Sequence, residues 1–187
     1  MHHLEQLVLI HCAPVLCRVK PASIISCCRY DHETIDNALA EIQKRLARHG
    51  CLLVEVCRCE HHITLFIYQR WILTAYLSAP GVSTFLASKE YAAACDIDGA
   101  IHMLIRRYRQ QKTVPHEVGV FLGYPLEDVL KFEKHNGRDY KICRYWKVYS
   151  DESQAERIFD YYDRCRAKVC ELMDTGLAFE DVLKKIA

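Results

Sequence analysis

Apolar and polar positions alternate along this chain with two different periods, and the change of period marks its elements. Ala22–Arg29 (ASIISCCR) is a short apolar, β-branched run behind Pro21 and reads as a strand. Asp31 then offers an N-cap, and Ile35, Ala38, Leu39, Ile42 and Leu46 recur at helical spacing until Gly50 supplies a stop. Leu52–Cys57 and Ile63–Tyr68 follow as strand-like runs around a polar CEHH tip, an antiparallel hairpin with a longer loop. The opening is therefore β-α-β-β. Trp71–Leu86 has an ambiguous period and reads as a short helix, a Pro-Gly break, then loop or helix.

Asp96 or Asp98 caps a helix whose buried stripe is Ile97, Ile101, Leu104, Ile105 and Tyr108; Arg106, Arg107, Arg109 and Lys112 lie on its other face. Pro115 ends that element. Val118–Leu122 reads as a buried strand, Gly123-Tyr-Pro as a turn, and Pro125 suits the start of a helix running to about His135. Ile142–Tyr149 is aromatic and β-branched and reads as one more strand. Ser150 or Asp151 caps a long helix with Ala155, Ile158, Phe159, Tyr162, Cys165, Val169 and Leu172 on one side. Gly176 closes it, and a last short helix carries Phe179, Val182, Leu183 and Ile186. The expected fold is α/β (α+β): a single mixed sheet of about five strands, covered by helices, with a helical C-terminus.

Composition narrows the function classes. The 187 residues suffice for one domain with a full core, and no Pro/Gly/Ser-rich linker divides them, so a single domain over 1–187 is expected. A formal net charge of +1 lacks the basic excess of a protein that tracks a phosphate backbone, so no nucleic-acid partner is expected. The eleven cysteines are odd in number and irregularly spaced, which argues against a disulfide framework and for a reducing, cytoplasmic setting, with an anaerobic bacterium inferred from the thiol load. Leu7–Cys17 is interrupted by His11 and has no basic region before it, and Trp71–Leu86 is broken by Pro80-Gly81, so neither a signal peptide nor a membrane span is expected.

The densest chemistry lies between Val114 and Tyr149. A Gly119–Gly123 segment leading into a helix at Pro125 resembles the geometry that presents unpaired N–H groups to an anion, although Glu127 and Asp128 would already complement the helix dipole. His116 beside Cys143 would make a thiolate nucleophile, with Glu117 or Asp128 orienting the imidazole. Tyr145, Lys147 and Tyr149 would share one face of a strand and Trp146 the other, giving a ring to stack on a ligand and Lys147 to pair with its charge. Cys57, Cys59 and His61 alternate along a hairpin strand, with His62 adjacent and His11, Cys12, Cys27 and Cys28 as further Cys and His donors. There is no C-x-x-C pair, so no metal site is assigned.

The run PHEVGVFLGYPLEDV, then Cys143, YWKVY and YYDRC, with HCAPVLCRVKPASIIS and IYQR earlier, resembles a bacterial family common in anaerobic clostridia and known as a domain of unknown function. The resemblance spans most of the chain. It implies a site built from His116, Glu117, the Gly-Tyr-Pro turn, Asp128, Cys143 and the Trp146–Tyr149 strand, without naming its chemistry. Gln69 departs from the pattern, in which Tyr runs directly into Arg, and leaves the role of Arg70 open. The favoured reading is a binding or regulatory protein for an anionic small molecule. Its ligand residues would be Lys20, Arg70, Gly119, Gly123, Tyr124, Asp128, Trp146 and Lys147; its cofactors and protein partners are unknown. The alternatives are a cysteine-dependent enzyme using His116, Glu117 and Cys143, and a metal- or haem-handling protein.

Overall fold

The computed structural model describes residues 3–28, 32–60, 62–91, 96–110 and 114–186; Asp31, His61 and Lys112 fall outside these ranges. The chain forms two compact units, Met1–Ile72 with Arg164–Ala187, and Leu73–Asp163.

In the first unit α1 (His3–His11) and α2 (Ala13–Leu16) precede β1 (Ala22–Cys28), α3 (His32–Arg48), β2 (Cys51–Arg58) and β3 (His62–Gln69). The β-α-β-β segment is present, behind two helices that the apolar run at 7–17 does not announce as helical. The sheet order is β1-β3-β2, and β3 pairs antiparallel with both neighbours. β1 and β2 therefore run in the same direction on either side of β3, with α3 connecting them, a split β-α-β arrangement. As the central strand, β3 is buried from Ile63 to Gln69, which is why ITLFIY is apolar but for Thr64, whose hydroxyl bonds Ser26 at 3.1 Å, rather than alternating. Its Ile63, Leu65 and Ile67 join Ile35, Leu39, Ile42 and Leu46 of α3 in one apolar core, together with Leu4, Val8 and Leu9 of α1. An ion pair of 2.6 Å between Arg45 and Glu5 ties α3 to α1 at the edge of that core.

The boundaries between units fall inside α4 (Arg70–Leu77) and, further on, inside the long helix α9. The second unit continues with α5 (Pro80–Ser88), α6 (Ile97–Gln110), α7 (Val118–Phe121) and α8 (Leu126–His135). A hairpin of β4 (Ile142–Cys143) and β5 (Lys147–Val148) follows, then α9 (Glu152–Asp174); α10 (Phe179–Ile186) returns to the first unit. Asp96 caps α6 through a 2.9 Å bond to the Gly99 N–H, and Asp151 caps α9 through 3.0 Å to the Gln154 N–H.

A single mixed sheet of five strands does not form. The described strands make one three-stranded and one two-stranded sheet, both antiparallel. Val118–Leu122 is a helical turn because Pro115 and Gly123 bracket a run too short to choose its period, and the Tyr124 N–H closes back on the Gly119 carbonyl at 2.9 Å. Ile142–Tyr149 is bent at Arg144–Trp146 into a hairpin with two residue pairs, Ile142 with Val148 and Cys143 with Lys147.

Ten described cysteines are free thiols; Cys12, Cys27, Cys51 and Cys165 are buried, while Cys28, Cys59 and Cys143 are exposed. Cys12 and Cys51 are pushed up to about 12 by burial. Beside Cys12, Lys20 is only 6% exposed, with its ammonium 3.5 Å from the Ser23 hydroxyl. Burial lowers its pKa from the ordinary 10.5 to about 8, against a smaller opposing effect of Cys12. Below pH 8 the amine is charged in both folded and unfolded chains, so the desolvation cost is fully present. Between 8 and 10.5 the unfolded chain holds a proton that the folded one lacks, and this group's contribution to stability rises with pH. Lys20→Met is therefore expected to stabilise the protein at pH 7 by up to about 3 kcal/mol. Urea denaturation of both proteins across pH 7 to 10 checks this: the advantage should shrink as pH rises, and a constant difference contradicts it.

Candidate functional site

A pocket of about 540 Å³ lies within the second unit, between the α7–α8 pair and the β4–β5 hairpin. Val118 and Gly119 of α7, Tyr124, and Asp128, Val129 and Phe132 of α8 line one side; Cys143 to Lys147 line the other, and Val114, Pro115 and His116 complete it. On α8, positions 128, 129 and 132 share a face by helical spacing.

Close packing sets the first side. A Cβ on Gly119 would lie 2.9 Å from Val129 Cγ2 and 3.2 Å from Tyr124 Cδ2, so α7 reaches α8 only with hydrogen at that position. Gly123 has φ +79°, the left-handed conformation that ends α7 and turns the chain into Tyr124-Pro125. The two glycines thus serve the turn and the helix contact. At the start of α8, the Asp128 and Val129 N–H groups bond the Pro125 carbonyl, and Glu127 pairs with Lys131 at 2.6 Å.

The hairpin is fixed by a carboxylate. Asp128 is 2% exposed; its Oδ2 accepts from Trp146 Nε1 at 2.8 Å, and its Oδ1 accepts from the Tyr149 N–H at 2.8 Å and the Ser150 N–H at 2.7 Å. Trp146 also stacks on Tyr124, centroids 5.0 Å apart, and meets Phe159 of α9 edge-on at 4.5 Å. The Tyr124 hydroxyl donates to the Tyr145 carbonyl at 3.1 Å, and burial raises its pKa to about 12, so it remains a donor at neutral pH. At the tip, Arg144 binds Asp160 at 3.0 Å and also Asp163, which accepts from the Tyr145 hydroxyl at 2.5 Å. Tyr145 therefore turns to α9 rather than sharing an alternating strand face with Lys147.

Cys143 and Lys147 are directly opposed across the hairpin, which puts their side chains on one face. The Lys147 ammonium donates to the Gly137 carbonyl at 2.8 Å and lies over the rings of Tyr140 (4.9 Å) and Phe132 (5.7 Å). Among the described residues no carboxylate pairs with it. His116 is exposed, its ring 5.4 Å from that of Phe132.

The contiguous 114–149 segment thus brings His116, Gly119, Tyr124, Asp128, Cys143, Trp146 and Lys147 to one pocket. Glu117 is not in the lining: it is 6% exposed and accepts from Arg107 at 2.8 Å and from the Tyr91 hydroxyl at 3.2 Å. Burial raises the pKa of its carboxyl, but its own backbone N–H and the Arg107 and Tyr91 hydrogen bonds together hold it below the ordinary range. Lys20 and Arg70 belong to the first unit; Lys20 is buried there, and Arg70 is an exposed residue opening α4. The aliphatic lining residues and Phe132 carry no chemical signature that sequence reading weighs. Arg144, next to Cys143, is a lining residue that the sequence reading does not single out. At the β2–β3 tip, Cys59 Sγ sits 3.2 Å from His62 Nδ1, but no group of three metal-ligating side chains occurs among the described residues.

The model of a protein family described as Protein of unknown function (DUF3793) matches residues 8–183, and the chain belongs to that family. No curated protein and no solved structure matches it.

Three substitutions test this architecture. Asp128→Ala strands two backbone N–H groups and an indole N–H, and is expected to cost about 3 kcal/mol or more. Asp128→Asn keeps the acceptor for the backbone pair but turns an amide N–H₂ toward the indole, and should cost about half as much. Gly119→Ala should cost about 1–3 kcal/mol by forcing α7 from α8. Urea denaturation measures all three, and a neutral Asp128→Ala would contradict the clamp.

Proposed function

We propose that this chain binds a small anionic molecule in the pocket of the second unit, with Lys147 as the counter-charge. One observation carries the reading. The basic side chains of the lining are His116, Arg144 and Lys147, and its one acid, Asp128, has both oxygens engaged by the hairpin. Lys147 is held by a neutral carbonyl and two aromatic rings, which orient an ammonium without neutralising it. A cation kept in place beside apolar walls is the composition of a ligand site, in which a few polar groups orient a mostly apolar body. The volume of about 540 Å³ lies in the range of small-molecule sites.

A cysteine-dependent reaction is the second reading. It is supported by Cys143 and His116 lining the same pocket and by Lys147 directly opposite the thiol. Its orienting acid has no candidate in Glu117, which lies outside the lining and accepts from Arg107 and Tyr91, or in Asp128, both of whose oxygens serve the hairpin. Absence of metal-ligating clusters among the described residues gives the metal-handling reading no observation of its own. No helix among the described residues is long and apolar enough to cross a membrane.

Thermal-shift titrations with a panel of carboxylates, phosphate monoesters and their neutral isosteres separate the readings. At least one anion should stabilise the wild type, and Lys147→Met should weaken it about tenfold, the worth of one charge-assisted contact. Unaltered affinity in Lys147→Met would sink the proposal. Iodoacetamide labelling at pH 7 should find Cys143 no faster than the exposed Cys28 and Cys59; labelling of Cys143 more than tenfold faster would favour the enzyme.

A further inference from the structure

We infer that the ligand is an apolar monocarboxylate rather than a phosphate ester or polyanion; this rests on the anion-binding reading above and concerns the same pocket. Charge inventory decides it. A phosphoryl group needs several converging donors, from a guanidinium fork, an open helix N-terminus or a backbone nest. Arg144, the one guanidinium in the lining, already bonds Asp160 and Asp163, which balance it. The first turn of α8 carries Glu127 and Asp128, and their charge opposes a second anion there. Beside the exposed His116 imidazole, Lys147 remains as the one ammonium of the lining, a positive charge that no carboxylate among the described residues offsets. It is fixed from behind by the Gly137 carbonyl and faces a single negative group best.

The rest of the lining asks for hydrocarbon. Val114, Pro115, Val118, Val129 and Phe132 form an aliphatic and aromatic surface that would leave the hydroxyls of a sugar or ribose without partners. A carboxylate at Lys147 with an alkyl or aryl body against Val118, Val129 and Phe132 satisfies both parts. An alkyl and an aryl acid share this chemistry, and the test carries one of each.

Trp146 is in the lining and Trp71 is the other tryptophan, so a Trp71→Phe protein reports on the pocket through Trp146 alone. Its emission would be titrated with decanoate and 4-phenylbutyrate, with the corresponding amides, and with phenyl phosphate and AMP, then repeated after Lys147→Met. The expected result is binding of one or both acids at least tenfold tighter than the amide, a preference that Lys147→Met erases. Phenyl phosphate and AMP should fail to displace the acid at tenfold higher concentration. Tighter binding of phenyl phosphate or AMP than of either acid overturns this inference while the anion reading stands. Amides as tight as the acids, or no response to any probe, overturns both.

Discussion

The buried carboxylate of Asp128 holds the site together. A hairpin with two residue pairs has no independent stability in water, so the β4–β5 ladder does not by itself position Cys143 or Lys147. Three donors converge on Asp128, an indole and two successive backbone amides, and they fix the hairpin where it leaves for α9. Taking a carboxylate out of water is costly, and charge-assisted bonds to all of its partners offset that cost. Phe159, Asp160, Tyr162 and Asp163 of α9 then hold the hairpin tip through ring contacts and the Arg144 ion pairs. These surface pairs are more exposed than Asp128 and contribute less.

The same bonds explain which predictions from the residues succeed. Long amphipathic segments such as α3, α6, α8 and α9 are readable because each buries one stripe, and the local period reports that stripe. β3 is readable because a central strand buries both faces. Val118–Leu122 misleads because five apolar residues fit a buried strand and a helical turn equally, and only the packing of Gly119 on Val129 selects the turn. Ile142–Tyr149 misleads for a different reason. Arg144-Tyr145-Trp146 contains no Gly, Pro or Asn to announce a turn, and the partners that bend it lie on α8 and α9, far along the chain. A window of about 18 residues centred on residue 145, the span over which a local period is read, contains neither Asp128 nor Asp163.

The candidate site was legible where its residues are contiguous. His116 through Lys147 gather because α7, α8 and the hairpin are consecutive and packed on one another. Lys20 and Arg70 share with them only their charge, and charge carries no positional information. Asp128 shows a further limit of reading residues by type: an acid near a histidine and a cysteine looks like part of a catalytic set. Here its oxygens face an indole and two amides, and its place in the chain says nothing of those donors.

That commitment of acids bears on function. A thiol–imidazole pair is oriented by a third group that holds the imidazole's tautomer, and the two acids that the residues suggest for it, Glu117 and Asp128, serve Arg107 in one case and Trp146 in the other. A binding site has no such requirement. It needs rigid apolar walls and a charge that is oriented but not cancelled, because an ammonium already paired with a carboxylate would have to break that pair to meet a ligand. Lys147 meets the condition: its backing is the Gly137 carbonyl, just past the end of α8, and two ring faces, groups that attract an ammonium while leaving its net charge in place. With Asp128 committed to the hairpin and Asp160 and Asp163 to Arg144, the lining keeps in Lys147 an ammonium that no described carboxylate pairs, and this asymmetry is what supports the proposed anionic ligand over catalysis at Cys143.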